Sequence, residues 1–99
     1  MIQRFCFVKL RDDEVASRGD IAALLAAELR DAGADAVVGL PADASAARWD
    51  LSIVISAASL PAWHALAQVA AVVRVFDQLD RRATVVKSWT FAAVGDADH

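Results

Sequence analysis

The 99-residue chain contains no tyrosine, no asparagine, one cysteine, two prolines and four glycines. With Cys6 alone, no intrachain disulfide can form. Cys6 lies in an apolar strand pattern with no adjacent base, which is the setting of a small hydrophobe rather than a nucleophile. The glycines, Gly19, Gly33, Gly39 and Gly95, stand isolated, so a phosphate-cradling loop is excluded. None of the serines (Ser17, Ser45, Ser52, Ser56, Ser59 and Ser88) sits in a G-x-S-x-G elbow. His64 and His99, distant from each other, and one cysteine make no ligand set, so neither metal nor cofactor is expected. Positive charge is also sparse. The net charge is −3, the pI about 5.1, and basic residues are single except for Arg81–Arg82, which suits a helix C-terminus. No nucleic-acid partner is expected. The longest apolar run, Ala65 to Val73, contains Gln68 and stops at Arg74, short of the ~20 residues that span a bilayer. The N-terminus lacks a basic region followed by an apolar stretch of signal-peptide length, so the expected location is cytoplasmic, with no membrane partner.

What is present is apolar: 58% of residues are hydrophobic, but 23 of them are alanines that bury little each. The length suits one domain, expected over residues 1–94, with a flexible polar tail at 95–99. An ordinary charged fraction argues against a disordered chain, and from the length a multidomain enzyme is not expected. Eight arginines against two lysines, with abundant alanine, suggest a GC-rich bacterial genome.

Periodicity predicts the elements. Ile2 to Leu10 reads as a strand with Ile2, Cys6, Val8 and Leu10 on one face and Phe5 and Phe7 on the other. Ile21, Leu24, Leu25 and Leu29 share one face of a helix that Ser17 or Asp20 starts and Gly33 ends. Ala34 to Leu40 and Trp49 to Ala57 are strands, the latter alternating cleanly. Ser59-Leu60-Pro61 opens a second helix with Trp63, Leu66, Ala70 and Val73 inward and Val69 and Phe76 at the edge; it either runs to Leu79 or breaks near Ala71. Thr84 to Phe91 is the last strand, with Val85, Trp89 and Phe91 on one face. The order β-α-β-β-α-β is ferredoxin-like: an α+β fold with a four-stranded antiparallel sheet and two helices on one side. The other sheet face, carrying Phe5 and Phe7, is too apolar to stay bare, and a second copy packed face to face would cover it.

The stretch Ile2-Gln3-Arg4-Phe5-Cys6-Phe7-Val8-Lys9-Leu10-Arg11 resembles the first strand of stress-responsive A/B barrel (Dabb) domains, members of the dimeric α+β barrel superfamily. Arg48 to Ile55, leading through Ser59-Leu60, resembles their third strand and its turn into helix two, and Val85 to Phe91 their closing strand. The resemblance implies a homodimeric barrel with a cavity between each sheet and its helices. Some relatives use that cavity for polyketide cyclisation, isomerisation or cofactor-independent oxygenation. Cyclase-like members carry a Tyr in helix two and a His-Pro-x-His segment after it. Here Leu66 stands at the Tyr position, Val69-Ala70-Ala71-Val72 replaces the segment, and Arg4 replaces a first-strand His. No catalytic residue of the family carries over. The expected function is therefore non-catalytic, binding a small apolar molecule or serving a stress-associated role. The alternative is a small-molecule enzyme in the helix–sheet cavity, with His64, Asp50 and Arg4 as weak catalytic candidates. A third reading is a regulatory module of the same strand order, monomeric or differently paired, that binds an amino acid or metabolite. Asp50 reads as a solvated charge at a strand end, where it could pair with Arg48 or Arg4. Trp49, Trp63, Trp89 and Leu66 are the candidates for lining a ligand pocket, and Phe5 and Phe7 for the dimer interface.

Overall fold

The computed structural model describes residues 1–95, so the expected tail, apart from Gly95, and His99 with it lie outside the described residues. Strand β1 (Ile2–Leu10) leads through a short 3-10 turn into helix α1 (Arg18–Asp31), followed by β2 (Asp35–Gly39) and β3 (Leu51–Ala57). Helices α2 (Leu60–Ala67) and α3 (Ala70–Arg82) precede the closing strand β4 (Ala83–Ala92). The four strands form one antiparallel sheet in the order β2-β3-β1-β4. This is the ferredoxin-like α+β arrangement.

Local sequence explains several of the boundaries. At the end of α1, Gly33 adopts φ +87°, a left-handed conformation that disfavours any residue with a Cβ. It permits the paired bonds Ala34 N–H to Leu29 C=O (2.9 Å) and Gly33 N–H to Arg30 C=O (2.9 Å), which satisfy two carbonyls of the last turn. Ser59 caps α2, its hydroxyl accepting from Ala62 N–H at 3.2 Å, with Pro61 in the first turn. In the β2–β3 connection, the Asp43 side chain accepts from Ser45 N–H at 2.9 Å and from the Ser45 hydroxyl. These bonds, the hydroxyl's first, hold the Asp43 carboxyl below the usual carboxylate range. Because the folded value is depressed, the contribution is present above the unfolded pKa and is lost as pH falls through the folded one. NMR titration should show Asp43 protonating at lower pH than an ordinary aspartate, and Ser45→Ala should move that midpoint upward.

The core lies between the helices and the sheet face bearing Cys6, Val8 and Leu10 of β1 and Leu51, Ile53 and Ile55 of β3. Ile21, Leu25 and Leu29 of α1 pack there, joined by Trp63 of α2 and by Val75 and Leu79 of α3. Leu24, expected on the same face, is exposed; Ala22 is buried in its place.

The second expected helix is two helices, so three helices rather than two cover the sheet. Gln68 and Val69 separate them, Val69 having an extended backbone (φ −62°, ψ 127°) whose carbonyl accepts the first bond of α3 from Val73 N–H at 3.0 Å. Restarting the helix resets its rotational phase. Val72, Val75 and Leu79 are buried, whereas Ala70 and Val73, expected to point inward, are exposed. Arg81 and Arg82 occupy the last turn of α3, where they complement the dipole.

Pairing register places Gln3, Phe5 and Phe7 beside Ser52, Val54 and Ser56 of β3 and beside Lys87, Trp89 and Phe91 of β4, all on the sheet face away from the helices. Phe5 meets Phe91 edge-on with ring centroids 5.7 Å apart, and Phe7 lies 5.9 Å from both Trp49 and Trp89. Trp89 and Phe91 remain about half exposed, at 45% and 55%. Gly39 lies close to its neighbour on this face, since a Cβ there would meet the Ser52 hydroxyl at 2.6 Å and make that side chain turn.

Candidate functional site

Between the helices and the β1–β4 half of the sheet lies a cavity of about 340 Å³. Its size falls in the range of small-molecule pockets. Trp63 and Ala67 of α2 and Val72, Val73 and Phe76 of α3 form its apolar side, facing Val86 of β4. The polar groups are Arg4, Cys6 and Ser88 from the sheet and Asp77 and Asp80 from α3.

Arg4 is the one charged residue among the helix-facing side chains of β1, which are otherwise Ile2, Cys6, Val8 and Leu10. Its Nη1 donates to Thr90 Oγ1 at 2.8 Å, and its Cζ lies 5.7 Å from the centroid of the Trp63 ring. The strand hydroxyl and the helix indole together fix the guanidinium against the cavity wall. Deeper in, Cys6 Sγ and Ser88 Oγ are 3.1 Å apart, a weak hydrogen bond that places both groups on directly paired residues. Asp77 and Asp80, three residues apart, present two carboxylates from one side of α3.

The sequence-derived candidates do not converge. His64 is exposed on α2, one residue from Trp63 but outside the cavity lining. Asp50 is buried, but its carboxylate serves the strand ends: Oδ2 accepts from Leu10 N–H at 2.8 Å, and Oδ1 lies 3.5 Å from Arg18 Nη1. Its ion-pair partner is thus Arg18, not Arg48 or Arg4, because the start of β3 sits beside the end of β1 and the N-terminus of α1. Arg48 lies instead over the Trp49 ring at 5.9 Å. Among the tryptophans, only Trp63 faces the helix–sheet cavity; Leu66 packs against the core. Trp49 and Trp89 line two separate depressions on the open sheet face, each sharing Phe7. The residues that sequence reasoning did not single out are Ser88, Phe76, Asp77 and Asp80. Ser88 becomes visible only through the Cys6–Ser88 register, whereas the spacing Phe76, Asp77, Asp80 on a helix end was legible.

No family model matches the chain, and no curated protein does. Solved structures match over nearly its whole length. A dimeric ferredoxin-like protein of unknown function from Bacteroides fragilis superposes with a TM-score of 0.73 at 14% identity, covering 93% of this chain and 95% of that one. A protein from Deinococcus radiodurans, provisionally assigned as an antibiotic biosynthesis monooxygenase, gives 0.74 at 18% identity over 98% and 95%. A dimeric ferredoxin-like protein from Thermobifida fusca gives 0.69 at 13%, covering 93% and 90%. The shared property at these identities is the fold. Among the described residues no helix is long and apolar enough to cross a membrane.

Proposed function

We propose that residues 1–94 form one unit that pairs with a second copy as a dimeric α+β barrel of the stress-responsive A/B barrel kind, and that it binds a small, mainly apolar molecule in the helix–sheet cavity without catalysing proton transfer. The observation that carries this reading is the cavity lining: six apolar side chains on three elements, and polar groups that include no imidazole and no phenol. His64, the one histidine among the described residues, lies outside that lining. A general acid–base works best with a pKa near the operating pH, which imidazole supplies and guanidinium does not. The open sheet face, with Phe5, Phe7, Trp89 and Phe91, supports the pairing, as does the description of structural neighbours as dimers.

Native mass spectrometry of freshly purified protein tests both parts. The expected spectrum is a dimer of the 10.5 kDa chain carrying a small organic adduct. Ala67→Phe, which fills the cavity from α2, should remain dimeric and lose the adduct. A monomer would overturn the assembly, and an adduct retained by Ala67→Phe would take the ligand out of this cavity.

Asp77 and Asp80 favour a second reading, an enzyme of the cyclase, isomerase or cofactor-independent oxygenase type, because two carboxylates beside an apolar wall are potential bases. Its test is dioxygen uptake, or conversion, with the compound recovered from the native protein as substrate.

A further inference from the structure

We propose that the ligand of the helix–sheet cavity is a small aromatic monocarboxylic acid, its carboxylate held by Arg4 and its ring against Trp63 and Phe76. This inference rests on the ligand-binding reading of the cavity and adds the chemical class. Arg4 is half-buried at the wall of the cavity, and its guanidinium carries five N–H donors that a ligand entering there can use in place of water. Arg4 has one protein acceptor, Thr90 Oγ1, and no carboxylate lies within ion-pair distance among the described residues. Asp77 and Asp80 line the same cavity, yet neither forms an ion pair with Arg4. The remaining donors suit the paired oxygens of a carboxylate, the group whose geometry matches the guanidinium fork.

The rest of the lining sets the other features. Trp63 and Phe76 favour a flat, polarizable body. Asp77 and Asp80 place negative charge on the wall formed by α3. A second anionic group on the ligand would be repelled there, so a monoacid is selected over a diacid by like-charge exclusion. Thr90 acts as a positioning residue, holding Arg4 through one nitrogen and leaving its others for the ligand.

Titration calorimetry of the full chain with three probes tests this: 2-naphthoate, the neutral 2-naphthalenemethanol and 2,6-naphthalenedicarboxylate. The expected order is naphthoate tightest, by about tenfold or more over each of the others, as a charge-assisted contact gives. In Arg4→Gln the advantage over the alcohol should fall to about twofold or less. Thr90→Val leaves the charge in place and should reduce the naphthoate preference in part; it serves if Arg4→Gln does not fold. Equal affinity for acid and alcohol, or a preference that survives Arg4→Gln or is untouched by Thr90→Val, would overturn the assignment while leaving cavity binding intact. Binding of none of the three, with an adduct that Ala67→Phe does not displace, would remove the cavity reading itself.

Discussion

Phe5→Asp should convert the proposed dimer to a folded monomer. Phe5 lies between Val54 of β3 and Trp89 of β4 on the open sheet face, in edge contact with Phe91, so an aspartate there has no cation directly opposite on either neighbouring strand. Phe7 is the weaker test, because its β4 partner is Lys87, which would offer a new carboxylate a counter-charge. In a two-fold interface every substitution occurs twice. Desolvating an unpaired carboxylate costs several kcal/mol per ion, so the dimer dissociation constant should rise by at least about a thousandfold. The side chain points away from Cys6, Val8 and Leu10, so far-ultraviolet circular dichroism should not change. Sedimentation velocity at low micromolar concentration separates the outcomes: a variant that sediments as the native protein does would mean that this face is not the interface.

Asp50→Ala should lower the melting temperature by about 10–20 °C, whereas Asp50→Asn should cost only a few degrees. The buried carboxylate accepts from Leu10 N–H at 2.8 Å, while the Asp50 amide donates to Val8 C=O at 2.8 Å, tying the start of β3 to the end of β1. Alanine leaves the Leu10 N–H without its acceptor, a loss of about 1.5–3 kcal/mol, and melting temperature moves by about 4–8 °C per kcal/mol in a domain of this size. Asparagine keeps an oxygen in place and loses chiefly the charge interaction with Arg18. That interaction spans 3.5 Å, and the arginine side chain is 44% exposed, so it contributes under about 1 kcal/mol. Differential scanning calorimetry of the pair decides between a positioned acceptor and a mere charge. Equal losses for both variants would show that the charge itself is what matters.

The architecture was legible because its elements obey clean periods. β3 alternates without interruption, Gly33 and Ser59 punctuate the helices, and element order alone then restricts the topology. The helix break was less legible. Val69 is compatible with a helix by composition, and its extended backbone lets Trp63 and Val72, which a continuous helix would set on opposite sides, both be buried. The site was legible only in part, since its members are neighbours through strand register rather than sequence. Cys6 and Ser88 are 82 residues apart, and Arg4 and Thr90 are separated by 86. Asp50 misled because tryptophan–aspartate at a strand start resembles a solvated edge charge. Its burial depends on β1 and α1 arriving beside it, which no local pattern encodes.

The division between α2 and α3 also distributes stability unevenly around the cavity. An eight-residue helix is below the roughly 12–15 residues at which helices persist alone in water, and α2 anchors itself by one buried side chain, Trp63. Its neighbour α3 has thirteen residues and buries Val72, Val75 and Leu79. By that comparison α2 is the segment expected to open first, as a local unfolding unit of low free energy, with the sheet and α3 still closed. Such an opening would free the indole over Arg4 and expose the cavity from one side, a way in for a guest that does not require melting the core.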